Sequence, residues 1–280
     1  MKLVRYGEKG AEKPGLIDKS GQLRDLSAHL KDLNGEGYAP ASLARLAALD
    51  PATLPAVGGT PRLGAPVTGI SKFVAIGLNY VDHAKETGAQ IPTEPIFFLK
   101  ANTSLSGPND PVEKPRDSIK LDWEVEIAAI IGTRAKYVSE ADALNHVAGY
   151  CVCNDVSERY FQQERGGQWT KGKSHDTFGP LGPWLVTKDE VADVQKLGMW
   201  CDVNGQRCQT GSTATMIFGV KKIVSYLSEI LTLMPGDVIA TGTPPGVGMG
   251  MKPPKFLNVG DVVTLGIEGL GEQRQEIIAA

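Results

Sequence analysis

The 280-residue chain lacks a large excess of either charge, since 29 Lys and Arg against 32 Asp and Glu leave a net charge of -3. A basic footprint for nucleic acid or for an anionic membrane is therefore missing, and any partner is expected to be small. Long hydrophobic runs are missing too. The longest purely aliphatic stretch, Ile127 to Ile131, falls far short of the roughly 20 residues a membrane span needs. The opening MKLVRYGEKG holds no signal-peptide core, so the expected location is the cytoplasm. Cysteine is scarce: Cys151, Cys153, Cys201 and Cys208 form neither a disulfide framework nor the doubled C-x-x-C of a structural zinc site, and read as reduced thiols on strands. No internal repeat, heptad pattern or low-complexity tract occurs. Gly242-Thr-Pro-Pro-Gly246-Val-Gly248 has the wrong spacing for a dinucleotide fingerprint, and its prolines remove donors that a phosphate cradle uses.

What is present is a mixed α/β pattern dominated by strands. A chain with 41% hydrophobic and 22% charged residues buries a substantial core. Strand-like pieces at Lys2 to Tyr6 and Gly15 to Asp18, then a helical run from Ala41 to Leu49 stopped by Asp50-Pro51, suggest a small N-terminal domain over 1–55. Residues 56–69 are Pro- and Gly-rich without period and read as a linker; a main domain follows over 70–280. Strands are expected at Phe73 to Gly77, Ile96 to Leu99, Trp123 to Ile131, Val147 to Cys153, Trp184 to Thr187, Met199 to Val203, Val238 to Thr241 and Val262 to Ile267. Asn204-Gly205 predicts a type I′ turn. Helices are expected at Tyr80 to Thr87, Ser139 to His146, Ser157 to Gln163 and Val220 to Leu233.

Four segments carry chemistry. Glu124 and Glu126 stand two apart on a strand and project from one face. The apolar run just behind them marks that strand as buried rather than as a solvated edge, so their mutual repulsion calls for a hard divalent cation. Asp155, at a strand end, reads either as part of such a site or as the N-cap of a helix starting near Ser157. His83 and Glu86 lie at i, i+3 on one helical face, where a carboxylate that orients an imidazole makes a general base, although a solvated pair has the same spacing. The aperiodic run from Gly167 to Trp184 has the elaboration of a functional loop, and Lys173 within it either donates to an anion or is solvated.

Together these segments resemble the fumarylacetoacetate hydrolase family from about Ile70 to the C-terminus. The resemblance rests on Gly77-Leu-Asn-Tyr-Val-Asp-His83-Ala-Lys-Glu86, Asp122-Trp-Glu124-Val-Glu126, Asn154-Asp155-Val-Ser-Glu-Arg159-Tyr-Phe-Gln162, Gly172-Lys173-Ser-His-Asp-Thr177 and the run from Pro235 through Thr243 to Gly248. It implies a β-rich catalytic domain behind a small N-terminal one, usually in a homodimer, with Glu124, Glu126 and Asp155 holding Mg²⁺ or Mn²⁺. It further implies His83 with Glu86 as the base that activates water, Lys173 and Gln162 as donors to substrate, and Thr243 as a further contact. Two departures stand out. The longer hydrolases of the family carry a fourth carboxylate ligand seven residues before the base, where this chain has Ile76, and His175 replaces an aromatic residue common among relatives, which suggests a different pocket wall.

The family likeness implies a 2-oxo acid substrate whose carboxylate and adjacent oxygen chelate the metal. The expected reaction is hydrolysis of a C–C bond in a 2,4-dioxo acid with release of pyruvate, the substrate being an acylpyruvate or a 2,4-dioxo-3-deoxy sugar acid because the polar loop suits a hydroxylated tail. Tautomerase, decarboxylase and ureidoglycolate lyase activities share the chelated intermediate and stay open as alternatives. So does a catalytically idle, metal- and acid-binding scaffold, against which the intact His83 and Glu86 speak. The segment from Thr87 to Pro95, with one Gly and two prolines, is expected to act as a lid over bound ligand.

Overall fold

The structure, a computed structural model, describes residues 1–88 and 90–280. Walking the chain, β1 (Lys2–Tyr6), β2 (Lys13–Ile17) and β3 (Leu23–Asp25) precede α1 (Pro40–Ala47) and β4 (Leu63–Gly64). Next come β5 (Phe73–Gly77), α2 (Val81–Thr87), β6 (Ile96–Lys100), β7 (Leu105–Ser106), β8 (Val112–Lys114), β9 (Leu121–Asp122), β10 (Val125–Ile131), β11 (Val147–Asn154) and β12 (Ser157–Glu158). The rest comprises α3 (Thr170–Lys173), β13 (Gly179–Thr187), β14 (Gly198–Val203), β15 (Gln206–Ser212), α4 (Val220–Ile230), β16 (Val238–Ala240), β17 (Val262–Ile267) and β18 (Gly271–Ala279). Strands dominate, as the composition and periodicity suggest. Among the described residues no helix is long and apolar enough to cross a membrane.

The main sheet has the order β3-β2-β1-β13-β11-β10-β16-β5-β6, with β4 on β1 and β7 on β13. A second sheet runs β15-β14-β17-β18-β8, and β12 and β9 form a short ribbon. β10, Val-Glu-Ile-Ala-Ala-Ile-Ile, lies between β11 and β16 and is buried along its whole length. Its alternation assigns the two faces. Ile127, Ala129 and Ile131 pack with the second sheet and with Val220, Ile223, Val224 and Leu227 of α4, which recur at i, i+3, i+4 and i+7. Ala128 and Ile130 pack instead with Leu3, Leu16, Leu26 and Leu46 from the first fifty residues.

Most predicted elements lie within a residue or two of their expected bounds, and Asn204 and Gly205 both take positive φ (51° and 76°), as a type I′ turn demands. Two helices differ. Residues 157–163 do not form one helix: Ser157 and Glu158 pair with Asp122 and Leu121, and a π-turn follows over Tyr160–Glu164. Asp155 therefore caps no helix, and the Ser157 hydroxyl donates to its carbonyl at 2.9 Å. Of the helix expected over Ser139 to His146, only a single 3-10 turn forms, at Ala143–His146. The proposed linker supplies β4, which pairs with β1. All four cysteines are free thiols on strands. Ala89, within the expected lid, lies outside the described residues.

Candidate active site

Antiparallel pairing sets the centre. The register Val125↔Asn154 and Glu126↔Cys153 brings the start of β10 beside the end of β11. The Asn154 side chain accepts from Glu124 N (3.1 Å), and Asp155 N donates to Glu124 O (2.9 Å). Glu124, Glu126 and Asp155 thus converge, each buried and each offering an oxygen within 4.8 Å of the others.

Three buried cations surround these acids. Lys173 Nζ lies 2.7 Å from both Glu124 Oε2 and Asp155 Oδ2. Arg159 spans Glu124 Oε1 (2.7 Å) and Asp122 Oδ2 (2.8 Å), while Lys100 Nζ reaches Asp155 Oδ1 at 2.5 Å. Burial would raise the Glu124 carboxyl, but Lys173 and Arg159 outweigh it and hold the group down at about 2. Glu126 goes the other way. Burial first, then the charges of Asp155 and Glu124, push it well above the carboxylate range, and only Lys173 and the Gly242 N–H at 2.7 Å oppose them.

The Gly242–Gly250 loop binds the site together by giving backbone N–H groups to carboxylates. Gly242 N serves Glu126, Gly246 N serves Glu86 (3.0 Å), and Gly248 N and Met249 N serve Asp122 (2.7 and 3.0 Å). The two prolines that disqualify it as a phosphate cradle leave these donors in place. His83 Nδ1 meets Glu86 Oε2 at 3.2 Å on α2, so the same loop that holds Glu126 also anchors the partner of the histidine.

A cavity of about 550 Å³ opens on this cluster and is lined by His83, Glu86, Glu124, Glu126, Gln162, Lys173 and Thr243, among others. Seven of the eight residues singled out in the sequence thus face one space, with Asp155 behind it on the Lys100 and Lys173 ammonium groups. Arg159 Nη1 donates to Gln162 Oε1 (3.1 Å), which reserves the Gln162 amide nitrogen as a donor. The Thr243 hydroxyl donates to Val125 O (2.9 Å) and accepts from Gln209 Nε2 (2.8 Å), so its proton is committed to the strand between the two glutamates. Ile76 lines the cavity as an apolar residue. His175 does not line it: the imidazole packs between Phe161 (5.4 Å) and Phe178 (5.2 Å), and the wall it was expected to shape lies elsewhere.

Sequence reasoning assigned no role to Asp122, Arg159, Lys100 or Gln209, all buried. Asp122 and Arg159 had a local signal, because each stands within a quoted motif, Asp122 two residues before Glu124 and Arg159 three before Gln162.

Residues 72–278 match the fumarylacetoacetate (FAA) hydrolase C-terminal family. The chain belongs to that family. It is 60% identical over 276 residues to a protein of Burkholderia orbicola provisionally named a hydrolase, with 98% of each chain covered. Among solved structures it resembles the fumarylacetoacetate hydrolase of the psychrophile Exiguobacterium antarcticum (36% identity, TM-score 0.87, all of both chains). It also resembles the maleylpyruvate hydrolase of Sphingobium sp. SYK-6, solved with manganese (II) and pyruvate (28% identity, TM-score 0.81, all of both chains). Family and relatives together support a hydrolase.

The donor set suits a divalent metal. Three carboxylates and no sulfur or imidazole make a hard-oxygen site of the type preferred by Mg²⁺, Mn²⁺ or Ca²⁺, and the buried, mutually repelling Glu126 gains most from a neighbouring cation.

Proposed function

We propose that this chain is a Mg²⁺- or Mn²⁺-dependent hydrolase that cleaves the C–C bond of a 2,4-dioxo acid and releases pyruvate. The observation that supports it best is the placing of the His83–Glu86 pair and the acidic cluster on one cavity. Glu124, Glu126 and Asp155 would hold the cation, which polarises the 2-oxo acid head and neutralises its charge when bound. Glu86 accepts from Nδ1 of His83, so Nε2 is the ring nitrogen that takes a proton from water. The resulting hydroxide oxygen adds to the distal carbonyl carbon. The bond from that carbon to C3 then breaks with its electron pair going to C3, and protonation at C3 completes pyruvate while the acyl part leaves as a carboxylic acid. Lys173 and the Gln162 amide donate to the oxygen on which negative charge grows. Thr243 acts through the backbone of Val125, which it holds between the two glutamates. A homodimer belongs to the same proposal, and sedimentation at micromolar concentration distinguishes it from a monomer.

The test follows pyruvate release from acylpyruvates with Mg²⁺ or Mn²⁺ present. Glu124→Ala, Glu126→Ala and Asp155→Ala are expected to abolish release while the far-ultraviolet spectrum stays that of the folded protein. Full activity after exhaustive chelation would remove the metal, and enol-keto conversion without C–C cleavage would turn the reading to a tautomerase.

A further inference from the structure

The cavity changes character with depth. Most of its buried residues are charged or polar, with Ile76 and Phe98 the apolar ones, while Leu78, Trp169, Met249 and Met251, all partly exposed, line it toward solvent beside Glu86, Gln163 and Lys252. Phe98 joins the two halves: its ring centroid lies 5.3 Å from Lys173 Nζ and 5.6 Å from the Trp169 ring, which it meets edge-on.

This apolar half is built rather than incidental. Gly77 makes room for the indole, since a Cβ there would overlap the Trp169 ring. Leu78 is held at φ 51°, a left-handed conformation that a branched side chain adopts only when its surroundings impose it. Apart from Lys173, three polar residues of the loop that suggested a hydroxylated tail are bonded to backbone instead: Thr170 donates to Leu99 O (3.0 Å), Lys171 to Arg165 O (2.7 Å), and Ser174 accepts from Ala101 N (2.9 Å). The side-chain amide of Gln163 is turned to Met249 Sδ at 3.3 Å. Lys252, on the rim, is exposed.

We propose that this outer half is a recognition subsite for an apolar tail, so that the substrates are acylpyruvates carrying an alkyl or aryl group rather than a second carboxylate or a polyhydroxy chain. The inference rests on the reading of the inner half as a 2-oxo acid site. With the head among the buried charges, the chain from C3 onward passes Phe98 and lies against Trp169, Met249 and Met251. Trp169 contributes the largest face, and the two thioethers adapt to tails of different shape.

The test measures binding, so it does not need turnover. In the presence of Mn²⁺, calorimetry compares pyruvate, 2-oxobutanoate, 2-oxohexanoate and 2-oxooctanoate with 2-oxoadipate and a 2-oxo sugar acid. Affinity is expected to rise by up to about fourfold per added methylene and to exceed that for the dicarboxylate and the sugar acid of equal length. Trp169→Ala and, independently, Met251→Gln are expected to cut the gain to less than about twofold per methylene, with pyruvate as the internal reference in each variant. If no 2-oxo acid binds, the reading of the inner half fails. If all bind but chain length has no effect, or 2-oxoadipate binds tightest and loses its advantage in Lys252→Met, the inner reading stands and the apolar subsite is refuted.

Discussion

At the scale of single residues, the site is an ionic lattice in which removing one partner exposes the others. Asp122 is fully buried and accepts from Arg159 Nε, Gly248 N and Met249 N. Asp122→Ala is therefore expected to cost about 3–5 kcal/mol of stability, the range for a broken buried pair, whereas Asp122→Asn, which still accepts from the loop, costs less. Denaturant midpoints of the two variants decide it, and equal losses would mean that the charge rather than the acceptor matters. His83→Ala is expected to lower turnover about 10²- to 10⁴-fold and leave pyruvate affinity by calorimetry nearly unchanged. Affinity that falls in step with turnover would make His83 a binding residue. The eight candidate residues were legible because each sits in a compact motif. Lys100 was not, and Asp122 had no role despite opening one of those motifs, because their partners Asp155 and Arg159 lie 55 and 37 positions away, and no local spacing encodes such a pair.

Acidity belongs to the same scale. Glu126 is pushed well above the ordinary carboxylate range, so the folded protein keeps a proton that the unfolded chain releases. Stability without metal then falls as pH rises from the unfolded carboxylate range through the folded value. Glu124, held at about 2, has the opposite sign: its contribution is present above the ordinary range and is lost as pH falls toward that value. Mn²⁺ is expected to raise the Tm more as the pH is raised, because at lower pH the metal must displace a proton to bind. An equal rise at every pH would separate Glu126 from the metal site.

At the scale of elements, α2 is positioned by a loop far along the chain. Gly250 packs so close to Glu86 that a Cβ would stand 2.6 Å from the carboxyl carbon. The obstacle is the end of a flexible side chain, so Gly250→Ala is expected to shift Glu86 off His83 and Gly246 N rather than unfold the protein. Turnover falls and metal affinity holds; a variant with wild-type turnover would show that Glu86 is not needed to orient the imidazole. Elements whose apolar residues alternate or run together, such as β5, β10 and β17, could be read from the sequence almost to the residue. β15 and β18 could not. Gln206–Ser212 and Gly271–Ala279 are largely polar, and their strand state is imposed by the β14 and β17 ladders beside them. The π-turn at Tyr160–Glu164 replaces the expected helix because Ser157 and Glu158 are held in pairing with β9.

At the scale of the whole molecule, the first 55 residues are continuous with the catalytic sheet. β1 pairs with β13 through Lys2↔Val186 and Leu3↔Leu185, and only β13 and β11 stand between β1 and β10. Leu3, Leu16, Leu26, Leu33, Tyr38, Leu46 and Leu54 share one core with Phe73, Ala128, Ile130, Cys151 and Leu185. Fully burying a side chain of that size contributes about 1.5–3 kcal/mol, so losing several of them removes an amount comparable to the typical net stability of about 5–15 kcal/mol for a domain. A chain lacking residues 1–55 would present the bare β13 edge and one apolar face of the sheet that carries Glu126. The full chain is expected to unfold in a single transition that fluorescence and far-ultraviolet dichroism report together, and the 56–280 fragment to lack a cooperative transition and to bind no Mn²⁺. A fragment that melts cooperatively and keeps the metal would show that the catalytic sheet folds without its N-terminal extension.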